Sequence, residues 1–180
     1  MAAATFDPNT WYAISEHRVD NVTSNPLSGC LQFTGSNFNV FGRNDQDWQL
    51  QPVDGVAGRY MLRTNKKGPL TALAACHRGE EAHPNRTGIC YVDGAAGDSA
   101  QKWDISNWGD GSFRLANVAN GSGFVLDVHP GAAVFMNDLI ENSGVPQPAQ
   151  HWIFSSDKPV NDGAYSTVYS VCFCLPLYLP

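Results

Sequence analysis

The amino-acid sequence predicts an all-β fold made of three pseudo-repeats of about forty residues, and three observations carry that prediction. A Gln-x-Trp step occurs three times, as Gln46-Asp47-Trp48, Gln101-Lys102-Trp103 and Gln150-His151-Trp152. Apolar residues in alternation follow each one, and the tryptophans at 48, 103 and 152 are 55 and 49 residues apart. Each unit also opens on an aromatic and an aliphatic residue two apart: Tyr12/Ile14, Tyr60/Leu62 and Phe113/Leu115. A period of two places both side chains on one face of a strand. Finally, short apolar runs are separated by Gly, Asn and Asp, and none continues as a capped helical stripe.

Taken in order, the first unit opens with "WYAI", carries the apolar segment "CLQF" at 30–33 and closes on Trp48-Gln49-Leu50. The second opens with "RYML", continues through "LTALAA" at 70–75 and closes on Trp103-Asp104-Ile105. The third runs from "SFRL" through "FVLDV" at 124–128 to Trp152-Ile153-Phe154. From opening aromatic to closing tryptophan the units measure 36, 43 and 39 residues. Four short strands per unit, repeated three times, predict a closed barrel capped by hairpins, which leaves no exposed sheet edge. That arrangement is the β-trefoil. Its tryptophans would fill a shared core, and each glutamine would serve backbone groups at a turn. The domain is expected over residues 10–157, followed by a C-terminal tail, 158–180, whose role the sequence leaves open.

Composition sets further bounds. A chain of 180 residues that is 43% hydrophobic can bury one real core. A formal net charge of -6 with no basic block argues against nucleic acid as a partner. The five cysteines, Cys30, Cys76, Cys90, Cys172 and Cys174, form at most two pairs within the chain. Cys76 and Cys90 bracket a polar loop, where a disulfide and two reduced thiols both remain open. The start "MAAATFDPNTWY" shows neither a basic nor an apolar signal region, so a cytoplasmic or unconventionally secreted protein is expected despite three Asn-x-Ser/Thr sequons. The apolar end "CFCLPLYLP" is short and broken by Pro176, so no transmembrane span is expected.

Three Gln-x-Trp steps in three units of about forty residues resemble the ricin B-type lectin domain, a β-trefoil family. The resemblance covers nearly the whole chain except the last two dozen residues, and "FVLDV" looks like that family's Leu-Asp-Val signature. "FDPNTWY" and "ISNWGDGSF" give the chain the look of the fungal branch. The resemblance implies a carbohydrate-binding protein whose partners are glycans. A binding repeat of the family carries an Asp in the Leu-Asp-Val turn, an aromatic about a dozen residues on, and an Asn near the Gln-x-Trp glutamine. Only the third unit keeps the Asp, as Asp127. The implied sugar site is Asp127, His129, Phe135, Asn137 and Gln150, with Asp127 accepting from two hydroxyls, His129 and Asn137 assisting and Phe135 stacking. Asp127 read alone could equally be a turn carboxylate, and Phe135 a core residue. Pro148 and Ala149 precede Gln150, so the usual Asn is missing there. The first unit offers Gln32 at the Asp position, with Asn44, Asp45 and Phe41 nearby. The second offers alanines. These two sites are expected to be lost or remodelled, leaving at most one site of the family type.

The alternative to a lectin is a protein-interaction or protease-inhibitor trefoil that uses the long loop 75–90 against a protein partner. In that loop Cys76, His77, His83 and Cys90 match no zinc-site spacing, and Glu80 and Glu81 form no credible acid/base pair. No phosphate loop, dinucleotide fingerprint, nucleophile elbow or metalloprotease motif occurs. The expectation is a protein that is not an enzyme and carries no cofactor or metal.

Overall fold

A computed structural model describes residues 2–17, 30–33, 38–41, 46–53, 55–75, 89–93, 98–128, 134–140 and 150–165. Twelve strands run through them. The first unit contains β1 (Thr10–Glu16), β2 (Cys30–Phe33), β3 (Phe38–Phe41) and β4 (Trp48–Pro52). The second contains β5 (Arg59–Thr64), β6 (Thr71–Ala75), β7 (Ile89–Asp93) and β8 (Trp103–Asn107). The third contains β9 (Phe113–Asn117), β10 (Phe124–Val128), β11 (Val134–Asp138) and β12 (Trp152–Pro159). The predicted opening, middle and closing segments of every unit are all strands.

Six strands close a ring of antiparallel pairs: β1 with β4, β4 with β5, β5 with β8, β8 with β9, β9 with β12, and β12 back to β1. Closure removes the unpaired edges that an open sheet would present. The remaining strands form three hairpins, β2–β3, β6–β7 and β10–β11. The fold is a β-trefoil.

The Gln-x-Trp tryptophans explain why the units superpose. Trp48, Trp103 and Trp152 are each 0% exposed, and they pack with Ile14, Leu50, Leu62, Ile105 and Leu115 in one core. Each indole N–H donates to a hairpin carbonyl: Trp48 to Leu31 at 3.1 Å, Trp103 to Leu73 at 2.9 Å and Trp152 to Leu126 at 3.0 Å. A buried indole that lacked such an acceptor would bear a desolvation cost, so each tryptophan ties its own hairpin to the barrel. The residue between Gln and Trp makes the second threefold contact, through its carbonyl. Asp47, Lys102 and His151 accept from the amides of Asn65, Val118 and His17 at 3.2, 2.9 and 2.7 Å. Each closing strand is thereby fastened to the opening strand beside it, and His151 completes the circle.

The N-terminal residues fill one end of the barrel. Phe6 contacts the three opening aromatics, with ring centroids 5.6 Å from Tyr12, 5.5 Å from Tyr60 and 5.2 Å from Phe113. The Tyr60 hydroxyl accepts from Phe6 N–H and donates to the Ala4 carbonyl, both at 3.1 Å. Gly58 lies against this segment with φ +76°, and a Cβ there would come 2.8 Å from the Ala3 Cβ. At the other terminus β12 pairs with β1 as far as Pro159 opposite Thr10. Tyr165 is buried beside Trp11, donates its hydroxyl to the Thr64 carbonyl at 2.8 Å, and accepts from Gln49 and Arg63 with its own carbonyl. Residues 166–180, the zinc-like and disulfide candidates Cys76, His77 and His83, and the side chain of Cys90 lie outside the described residues. Among the described residues no helix is long and apolar enough to cross a membrane, and no group of three potential metal ligands occurs.

Candidate functional site

Alternation along the third hairpin sorts its residues into two faces. Phe124, Leu126 and Val128 on β10, with Val134 and Met136 on β11, belong to the core. The intervening residues, Val125 and Asp127 with Phe135 and Asn137, therefore share the face turned away from that core, the outer face, where Val125 and Asp127 are nonetheless buried and Phe135 and Asn137 half-buried. Asp127 stands directly opposite Phe135 in the antiparallel ladder. Directly opposed residues carry their Cβ atoms about 4.5–5.5 Å apart on one face. Phe135 is half-buried and outside the core cluster. Phe135 is therefore the direct cross-strand neighbour of Asp127 on this face.

The Asp127 carboxylate is itself only 4% exposed and is held by three donors. Oδ1 accepts from the Val128 amide at 2.6 Å, and Oδ2 accepts from Asn137 Nδ2 at 2.9 Å and Gln150 Nε2 at 3.1 Å. Gln150, 0% exposed, also donates to the Asp138 carbonyl at 2.9 Å and accepts from the Ile140 amide at 3.2 Å. The structure thus brings together Asp127, Phe135, Asn137 and Gln150 of the five residues picked from the sequence. His129 lies outside the described residues, as do Asn44 and Asp45. A carboxylate offers about four lone-pair directions. Three of them are taken by these donors at Asp127.

The tryptophan anchors also fix what stands at the same place in the other units. Because Leu31, Leu73 and Leu126 accept equivalent indole bonds, the next residues, Gln32, Ala74 and Asp127, are equivalent. In the ladders Gln32 faces Asn39 and Ala74 faces Cys90, where the third hairpin has Phe135 opposite Asp127. An amide and a methyl replace the carboxylate. Only the third unit pairs an acid with an aromatic.

A second cluster, not picked out from the sequence, lies behind Gln150. The β8–β9 turn presents Trp108, Asp110 and Ser112, and His151 packs onto it. The Trp108 and His151 rings stack with centroids 4.5 Å apart and planes at 8°. His151 Nδ1 lies 2.7 Å from Ser112 Oγ and 2.8 Å from Asp110 Oδ2, and Ser112 Oγ donates to Asp110 Oδ1 at 2.5 Å. Burial alone would resist ionisation of Asp110. The hydrogen bonds from the Ser112 hydroxyl and amide, together with the His151 imidazole, outweigh it and hold the carboxyl below its ordinary range. The residue types are those of a hydrolase triad, but the geometry is not. Both oxygens meet the same imidazole nitrogen, and the Ser112 hydroxyl donates its hydrogen bond to the Asp110 carboxylate, which is not the nucleophile–base–carboxylate relay of a triad. Only the bare dipeptide "NW" before "GDGS" signals this cluster in the sequence, and nothing local connects it to position 151.

A family model, the ricin-type β-trefoil lectin domain-like family, matches residues 44–137 and 99–172, together more than half the chain. The chain belongs to the ricin-type β-trefoil lectin-like family. The match is to the family as a whole and does not single out a fungal branch. No curated protein matches this lectin-like chain. Among solved structures, Cry35Ab1 is similar with a TM-score of 0.56 and 19% identity over 86% of this chain and 37% of that one. The Polyporus squamosus lectin, bound to the human-type influenza-binding epitope Neu5Acα2-6Galβ1-4GlcNAc, has a TM-score of 0.55 and 18% identity over 84% of this chain and 50% of that one. The BEL β-trefoil in an apo crystal form has a TM-score of 0.50 and 14% identity over 86% of this chain and 97% of that one. The lectin-like chain therefore spans about a third of Cry35Ab1 and half of the Polyporus lectin. At these identities the likeness is one of fold.

Proposed function

We propose that this ricin-type β-trefoil is a non-enzymatic carbohydrate-binding protein with one sugar site, on the outer face of the β10–β11 hairpin. The observation that carries the proposal is the pairing of Asp127 with Phe135 directly opposite it on that face. Asp127 accepts one ring hydroxyl. Asn137, which reaches Asp127 through one amide proton, offers its remaining polar atoms to a second hydroxyl. Phe135 presents apolar surface to the C–H side of the ring. Gln150 holds the carboxylate from behind, since it is fully buried. His129 follows β10 directly in sequence and is the fifth candidate. Family membership supports carbohydrate binding in general, and Gln32 and Ala74 at the equivalent positions support a single site over three.

A glycan array followed by calorimetric titration tests the reading, with Neu5Acα2-6Galβ1-4GlcNAc, lactose and N-acetyllactosamine among the probes. Binding that disappears in Asp127→Ala and weakens in Phe135→Ala is expected. An array without signal, or an Asp127→Ala protein that binds like its parent, removes the proposal. The protein-interaction alternative rests on the loop 75–90, of which residues 76–88 lie outside the described residues, and a pull-down that survives Asp127→Ala but requires that loop would favour it.

A further inference from the structure

We propose that Trp108 and His151 form a brace that fixes Gln150 and, through it, sets the Asp127 carboxylate for a ligand. The role assigned to Asp127 rests on the sugar-site reading above, whereas the brace itself can be tested without any sugar. Trp108 grips two consecutive residues at once. Its indole Nε1–H donates to the Gln150 carbonyl at 3.2 Å, and its ring stacks on His151. A flat stack combined with a hydrogen bond fixes the direction in which the chain enters β12, and hence the direction in which the Gln150 side chain leaves it.

His151 is locked in turn from the β8–β9 turn. Counting protons assigns its tautomer. Ser112 has one hydroxyl proton, and the 2.5 Å contact assigns it to Asp110 Oδ1. The Ser112 oxygen and Asp110 Oδ2 are then both acceptors, so His151 Nδ1 carries the proton and donates to them. The Ser112 amide donates to Asp110 Oδ1 at 2.8 Å and the Trp108 amide to the Ser112 carbonyl at 3.0 Å, which keeps the turn closed around the pair.

The effect of the brace passes through an amide whose two donors and carbonyl oxygen are all engaged. Gln150 Nε2 donates to Asp127 Oδ2 and the Asp138 carbonyl, and Oε1 accepts from the Ile140 amide. Its side chain cannot turn without breaking three bonds, so it transmits the position of its backbone to Asp127. A carboxylate that is nearly buried depends on its donors, and losing one frees it to rotate away from the outer face.

The brace also occurs where it is needed. The β4–β5 turn, residues 53–58, which leads into the second unit's opening strand, contains no aromatic residue, and the Gln-x-Trp middle positions of the first and second units are Asp47 and Lys102 instead of histidine. Those units carry Gln32 and Ala74 in place of Asp127. The unit with the carboxylate is the unit with the brace. Trp108 and His151 are thus positioning residues, acting on the ligand only through Gln150.

Nuclear magnetic resonance on the 15N-labelled full chain tests this, reading the Gln150 side-chain amide, which is identified by its loss in Gln150→Glu. Trp108→Phe keeps a stacking ring but removes the N–H donor; Trp108→Ala removes both. Displaced Gln150 amide signals are expected in both variants, with solvent exchange at least about tenfold faster in Trp108→Ala. The buried indole signals of Trp48, Trp103 and Trp152 should stay in place. Titration with the three saccharides named above should show affinity about tenfold weaker in Trp108→Ala and partly restored in Trp108→Phe. Gln150 signals unchanged from the parent in a folded variant would overturn the brace. A parent that binds none of the saccharides removes the sugar reading alone, because the amide signals still decide whether the brace exists.

Discussion

Gln150 Nε2 donates to Asp127 Oδ2 across 3.1 Å, joining residues 23 apart in the chain and tying the start of β12 to the outer face of the β10–β11 hairpin. The glutamine of the third Gln-x-Trp step is therefore both a turn-forming residue and the support of the candidate sugar acceptor. The other donors to Asp127, from Asn137 and Val128, belong to the hairpin itself.

Removing that carboxylate should cost stability as well as binding. Asp127→Ala leaves donors from Val128, Asn137 and Gln150 without their shared acceptor at a site that is 4% exposed. A loss of about 1–3 kcal/mol is expected. Asp127→Asn, which keeps one acceptor oxygen, should lose less. Urea denaturation measures both, and an Asp127→Ala midpoint equal to the parent's would contradict the network.

The three motif tryptophans should behave as equivalents. Replacing any one by alanine removes a fully buried ring and an indole bond to Leu31, Leu73 or Leu126, and should cost about 3–5 kcal/mol. Trp→Phe at the same positions should cost less. Thermal unfolding of the three phenylalanine variants checks the symmetry, which a single outlier with no effect would break.

The N-terminal segment should be part of the folded barrel. Gly58→Ala places a Cβ 2.8 Å from the Ala3 Cβ at φ +76°, which forces either the segment or the turn to move. A destabilisation of about 1–3 kcal/mol is expected. Deleting residues 1–8 removes Phe6 from between Tyr12, Tyr60 and Phe113 and should relieve the part of the Gly58→Ala penalty that comes from Ala3, leaving the strain of the positive φ and the 3.1 Å approach to the Ile105 carbonyl, while lowering overall stability. A double-mutant cycle in calorimetry measures that coupling.

Acid should weaken the Trp108–His151 cluster through Asp110. Its carboxyl titrates below the ordinary value of 3.8, because the Ser112 and His151 contacts outweigh the opposing effect of burial. A depressed pKa means the unfolded chain takes up the proton first. The contribution is complete above pH 3.8 and fades as pH falls below it through the folded-state value. The carboxylate is 41% exposed, so the effect is small. Asp110→Asn should therefore narrow its stability gap to the parent below about pH 4. A gap that widens in acid would reverse the assignment.

The sequence by itself determined the fold, because the information needed for it is local and repeated. Alternation of two marks a strand face, and the triplets at 46, 101 and 150 mark the same step in three units. Burial of Trp48, Trp103 and Trp152 follows from that pattern. That Asp127, Phe135 and Asn137 lie near one another was legible too, since all three fall within one hairpin. The tertiary structure alone decided how they meet. Pairing register, which puts Phe135 opposite Asp127 and makes Gln32 and Ala74 its counterparts, depends on where each hairpin turns and where its tryptophan anchors. Periodicity within one strand carries no record of either. The contacts of His151 with Trp108, Asp110 and Ser112 span 39 to 43 positions and leave no periodic trace, because packing brings the β8–β9 turn against β12 only after the barrel has closed.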